Sequence, residues 1–356
     1  MKNVLYIQII LLLALITSCD KISPSQEGGE TSGSYIFFEP EVLEGIDVKS
    51  LLTGKEFPSD EGTAFGAIGY YSEPQDDNTI KLTNIFTSAT EKVYRKEAGK
   101  SFVYDNLALW KPSINHVFYG FYPHGLQDKN LVKLNNGSPY IEYTQPTTMD
   151  NMVDILTAKR ELTQAAATNN SVDLTFTHSL WALDIIVINN QTENPYNPGT
   201  GTLDPYLYIE SATLTLVNIP SGGKLNLDGN NTVDSRSNIT YTLHSSTSNN
   251  ITLGKKDSES SSHNFGPFLF FPTNIEIDES QKVQYRLDFK FKNPWGISYD
   301  FSYPANADSY ADFTVTKFNA GSRYQLTITK KEGDSFTVKT SSEIPWNNEE
   351  INHEFK

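Results

Sequence analysis

Histidines and carboxylates are the side chains that could carry proton transfer or metal chemistry in this chain of 356 residues. The six histidines, at 116, 124, 178, 244, 263 and 353, include no pair four apart and no His-Glu-x-x-His, so no helix face offers two imidazoles to a zinc ion. Gly-x-Ser-x-Gly and phosphate-loop patterns are absent from the sequence. Asp76-Asp77 and Glu349-Glu350 are adjacent carboxylates, and neighbours on an extended chain point to opposite faces, which fits solvated loops better than an acid–base couple. Asn226-Leu227-Asp228-Gly229-Asn230 lacks the twelve-residue spacing and closing glutamate of a calcium loop and reads as a turn. His178 ends an alternating run, so a histidine satisfied in the core or at a sheet edge is expected there, with no catalytic role. Trp110, Trp181, Trp295 and Trp346 could stack on a sugar ring, yet tryptophan in a β-protein is more often core. No catalytic, cofactor or metal site is expected, and the chain does not read as an enzyme.

The remaining reactive group is the chain's one thiol, Cys19. It follows Ile16-Thr17-Ser18 and an apolar run from Val4 to Ile16 that only Gln8 interrupts. About 13 residues cannot span a bilayer, which needs about 20, so residues 1–18 are predicted to be a secretory signal. Small residues directly ahead of a lone cysteine resemble the lipobox of bacterial lipoproteins. The resemblance implies cleavage before Cys19, a diacylglycerol on its thiol, and durable membrane attachment through two or three acyl chains. Cys19 is the expected lipidation site. Residues 19–34 follow with much Ser, Gly and Glu and little to bury, and they are predicted to be a flexible tether.

Loss of Lys2 with the signal leaves 27 basic against 43 acidic side chains, which repels nucleic acid and anionic surfaces. One cysteine permits no internal disulfide, so stability must come from cores. Abundant Tyr (19) and Phe (20) against 3 Met favour pleated surfaces over helix cores. Short β-branched and aromatic runs separated by turn residues predict strands near 35–38, 64–71, 101–104, 117–122, 140–143, 172–176 and 183–188. Further strands are predicted near 212–217, 241–244, 268–271, 284–291, 297–303, 313–318, 324–329 and 336–339. Helix is expected only over Val153 to Thr168, ahead of Asn-Asn-Ser. The long polar segments Asn189 to Pro205 and Ser245 to His263 fit connections between sheets. The length predicts two domains, 35–170 and 171–356, with the boundary in the polar run Thr168 to Ser171.

Four stretches occur in an order that resembles the fimbrillin family of surface lipoproteins, the subunits and accessory proteins of type V pili. They are Val117-Phe118-Tyr119-Gly120-Phe121-Tyr122-Pro123, Val172 to Leu180 with its His178, Pro267-Phe268-Leu269-Phe270-Phe271-Pro272, and Phe318 to Thr329 leading to Ile344-Pro345-Trp346. Within the last, Gly321 is expected at positive φ in a tight turn, with Phe318 and Tyr324 packed beside it. The resemblance implies an all-β fold of two transthyretin-like Greek-key β-sandwich domains. It further implies an outer-membrane, lipid-anchored pilus subunit or pilus-associated adhesin, whose partners are other pilus subunits joined by strand addition. Members matured by an Arg-specific protease carry an early arginine, whereas the first here is Arg95, with only Lys49 and Lys55 near the expected place. Ile351, His353 and Phe355 alternate with polar residues and form the candidate donor strand, the alternative being a frayed charged tail. A carbohydrate-binding surface lipoprotein of a glycan-uptake system is the alternative reading of the whole chain.

Overall fold

Alternating apolar and polar positions become strands through most of the described stretches. The computed structural model describes residues 34–42, 57–58, 60, 62–75, 80–135, 137–192, 206–245, 249–273, 281–315, 317–332, 335–341 and 343. In chain order the strands are β1 (Phe37–Val42), β2 (Ala64–Pro74), β3 (Ile80–Asn84), β4 (Glu91–Arg95), β5 (Phe102–Val103), β6 (Asn115–Tyr122), β7 (Val132–Lys133), β8 (Tyr140–Thr144), β9 (Leu156–Thr163), β10 (Ser171–His178) and β11 (Trp181–Asn189). They continue with β12 (Leu207–Asn226), β13 (Thr232–His244), β14 (Ile251–Leu253), β15 (Ser262–Asn264), β16 (Phe268–Phe270), β17 (Gln284–Lys292), β18 (Ser298–Tyr303), β19 (Ala311–Asp312), β20 (Arg323–Lys330) and β21 (Phe336–Thr340). One short helix, α1 (Gly125–Asp128), follows β6.

Three sheets result. The first runs β1-β10-β9-β6-β2-β4-β5 with β3 beside β2; the second runs β15-β11-β20-β21 with β16 beside β11; the third runs β18-β17-β12-β8-β7 with β13, β14 and β19 on its ladders. The segment after Asn189 leads from the second sheet to the third, and the segment from Ser245 to His263 leads back through β14 to β15, so both long polar connections change sheet. The fold is all-β.

Three buried clusters match these layers. One lies between the second and third sheets, with Trp181, Leu183, Ile185 and Val187 of β11 facing Leu214 and Leu216 of β12 and Leu287 and Phe289 of β17. A second lies inside the first sheet around Phe38, Phe65, Phe118, Leu174 and Phe176. The third joins the two halves: Ile68, Tyr119 and Phe121 of the first sheet pack with Ile141, Ala182, Leu225 and Phe271. β11 therefore has buried residues on both faces, which is why its sequence is apolar apart from Asp184 and the closing Asn189, as in parallel sheets covered twice. It pairs in parallel with β20 over eight rungs, and Asp184 of β11 is buried against the guanidinium of Arg323 in β20. Asn264 donates a second hydrogen bond to Asp184 at 2.9 Å, which satisfies the carboxylate where water cannot reach.

Two expectations fail. Val153 to Thr168 is not a helix: Leu156–Thr163 is a strand antiparallel to β6, followed by a 3-10 turn at Gln164–Ala166. Leu156, Ala158 and Leu162 at even spacing enter the core, while Lys159 and Glu161 share the opposite face and pair at 2.7 Å. Tertiary pairing overrides a helix-forming composition. Likewise no described residue of 313–318 belongs to a strand; Phe313 and Phe318 are buried, but Phe318 makes only an isolated bridge with Thr273. Residue 170 falls between β9 and β10, and both belong to the first sheet. We propose that the second sheet and the part of the third that follows β11, which share a buried cluster drawn from residues 181–328, fold without the first sheet and without β7 and β8. A fragment from Ser179 to Lys356, begun after β10, is expected to give a β-type far-UV spectrum and one cooperative melt. A fragment that stays unfolded would show that the cluster shared between the halves is indispensable.

Candidate functional site

The feature that could act on another chain is the way β1 is held. β1 pairs in parallel with β10, from Phe37 opposite Ser171 to Val42 opposite Phe176. The two residues just ahead of it meet the segment after β5: Tyr35 bridges Leu109 in antiparallel sense, and the Ile36 N–H donates to the Ala108 carbonyl at 2.9 Å. The leading segment from Tyr35 to Val42 thus runs between β10 and the segment after β5.

Alternation decides which side chains enter. Ile36 is fully buried and Phe38 nearly so, whereas Glu39 and Glu41 face solvent. The Phe38 ring stands edge-on to Phe65 (6.1 Å), Tyr104 (5.8 Å) and Phe118 (5.9 Å), with Phe86 tilted beside it at 6.2 Å. Such edge-to-face contacts add to area burial. The Tyr104 hydroxyl donates to the Ile36 carbonyl at 2.8 Å and accepts the Ala108 N–H at 3.1 Å. Burial pushes that hydroxyl up to about 12, so it remains a donor across the physiological range. At the entry to β1, the Asn170 carbonyl accepts both the Phe37 N–H and the Trp110 indole N–H, each at 3.1 Å. Asn170 has a positive φ of 61°, and Asn tolerates that left-handed turn better than most residues.

The residues singled out by sequence fall into three groups. Cys19, the candidate donor residues Ile351, His353 and Phe355, and Ile344-Pro345-Trp346 lie outside the described residues, as do Lys49, Lys55, Asp76-Asp77 and Glu349-Glu350. His178 is buried with its Nδ1 3.0 Å from Asp154, inside the core. Gly321 has a φ of +71° and donates its N–H to the Leu180 carbonyl, and the Phe318 and Tyr324 rings meet at 5.1 Å. Trp181 stacks on Phe318 at 4.3 Å and Trp110 is 3% exposed, so both are core; Trp295 is half-buried at the β17–β18 turn. Arg95 is part of β4, with its guanidinium 4.2 Å over the Phe102 ring and its Nε donating to the Pro58 carbonyl. Asn226 to Asn230 forms the turn joining β12 and β13. Among the described residues no three His, Cys, Asp or Glu side chains gather as a metal site. Sequence reasoning missed the slot itself, because its walls come from residues 65, 104, 118 and 170, and no local pattern links them.

A family model described as fimbrillin-like matches residues 59–346. Among solved structures, a proposed cell adhesion protein from Bacteroides uniformis is 14% identical, covering 89% of this chain and 100% of that one, with a TM-score of 0.47. A second, from Bacteroides ovatus, is 14% identical over 89% of this chain and 99% of that one, with a TM-score of 0.48. The tip fimbrial protein Mfa3 from Porphyromonas gingivalis, with a C-terminal truncation, is 12% identical over 80% and 94%, with a TM-score of 0.34. No curated protein matches significantly. With its family model spanning most of the sequence, the chain belongs to the fimbrillin-like family.

Proposed function

We propose that this protein is a cell-surface, lipid-anchored component of a pilus, acting as subunit or pilus-associated adhesin and joined to its neighbours by strand addition. The observation that carries the reading is the leading segment Tyr35 to Val42, which lies between β10 and the segment after β5, with backbone hydrogen bonds to both and Ile36 and Phe38 turned inward. A slot with those properties accepts any extended segment that offers apolar residues at alternate positions. In the proposed assembly, a neighbour's Ile351, His353 and Phe355 supply that alternation. Cys19 supplies the anchor, in line with its place after an apolar leader. Family membership supports surface assembly in general.

Three outcomes are expected. Cys19→Ala abolishes acyl labelling and releases the protein from membranes; equal labelling of the variant would end the lipid-anchor reading. Phe38→Ala empties the aromatic cage and makes release of β1 about 3–5 kcal/mol easier, read as faster hydrogen exchange at the Ile36 and Phe37 amides. Unchanged exchange there would show that the cage does not hold the strand. Deletion of residues 347–356 leaves the monomer's Tm nearly unchanged and removes polymers seen by electron microscopy. Normal assembly by the truncated protein would rule out the donor role, and a large loss of Tm would assign the tail to the monomer's own fold.

A further inference from the structure

We propose that His116 is a proton-sensitive latch on β1. Its imidazole is fully buried in β6. Nδ1 lies 2.9 Å from the Ile114 carbonyl, and Nε2 accepts the Lys111 backbone N–H at 3.3 Å. A carbonyl can only accept, so Nδ1 carries the proton; a backbone N–H can only donate, so Nε2 is bare. Both bonds coexist only in the neutral ring. Three aromatic rings pack against it: Trp110 edge-on at 4.9 Å, Phe118 stacked at 6.0 Å and Tyr71 tilted at 6.1 Å.

The loop pinned by this ring is the one that grips β1. Trp110 donates to Asn170, whose carbonyl also receives the Phe37 N–H, and Ala108 and Leu109 hold Ile36 and Tyr35. A second proton on His116 would set N–H against N–H at Lys111 and place a charge among aromatic rings.

The surrounding groups offer that charge no counterion. The loop contributes Lys111, itself cationic, with its amine 5.6 Å over the Tyr71 ring of β2. From β9, Leu162 stands opposite His116, and the nearby Arg160 and Glu161 are exposed. From β1 and its approach comes Tyr35, beside Leu109. The acids of the two strands that flank His116 are already engaged, Glu73 of β2 by the Thr83 hydroxyl and Glu161 of β9 by Lys159, while Glu91 and Asp105 accept from the Ser88 and Tyr94 hydroxyls. Burial accordingly pushes the His116 pKa below its ordinary 6.5. A base with a depressed folded value binds its proton more readily in the opened state, so the latch contributes fully above pH 6.5 and weakens as the pH falls from there toward the depressed value. The latch acts on β1 whether or not another strand ever replaces it.

Hydrogen exchange on the full chain, corrected for intrinsic rates, tests this between about pH 7.5 and about pH 5. Protection of the Ile36 and Phe37 amides is expected to fall about tenfold for each unit by which the His116 pKa is depressed, while β11 and β20 amides keep theirs. His116→Phe keeps an aromatic ring without a titrating nitrogen, and its β1 protection is expected to stay level over the same interval. If that variant does not fold, the ring resonances of His116 in the unaltered protein replace it, with their titration expected to follow the loss of β1 protection. The same pH response in protein and variant, or titration of His116 while β1 stays protected, would overturn the latch.

Discussion

A curled sheet has two edges, and every N–H and C=O along them must find a partner or water. In the first sheet both edges border an apolar interior, where an unpaired group costs about 1–3 kcal/mol. β1 pairs with β10 along one edge, and Tyr35 and Ile36 just ahead of it reach the Ala108–Leu109 segment on the other side. Phe38 of β1 and Ile36 just ahead of it plug the interior. The chemistry that makes β1 necessary to its own fold also makes its slot a template for a strand of the same pattern.

The second half depends on a different constraint. β12 runs for 20 residues, pairing with β17 through its first part and with β8 through Gly222 to Asn226, so one strand serves two ladders. At Gly223 a Cβ would stand 2.2 Å from the Thr232 carbonyl, so only glycine allows that close approach. The Asp184–Arg323 pair locks the register of β11 against β20 in the interior, a role for which an ion pair suits better than another apolar contact, since a slip would strand both charges.

Much of this was legible in the sequence because it is local. Alternation located β6, β10 and β20, and the Asn-Ala-Gly-Ser turn placed Gly321 correctly at positive φ. Composition misled at Leu156–Thr163, where alanine, leucines, lysine, arginine and glutamate favour a helix but flanking strands on both sides impose extension. β3 and β4 were not legible because their runs, IKLTN and EKVYR, are short, and the apolar residues of β3, Ile80 and Leu82, are exposed and mark no core face. The slot was invisible for another reason: Phe38, Tyr104, Phe118 and Asn170 converge from up to 132 positions apart. Arg323 likewise sat in a motif whose sequence gave no sign of Asp184.

Parallel pairing of β1 with β10 has a mechanical side. Tension entering from the residues ahead of β1, and resisted by the chain that leaves β10 toward β11, pulls the two neighbours in opposite directions along their length. Their rungs, Phe37–Ser171 to Val42–Phe176, then bear the load side by side in shear, whereas strands of a hairpin pulled from one end part rung by rung. Geometry alone lets the first sheet take a pull along its leading strand with all of its hydrogen bonds at once.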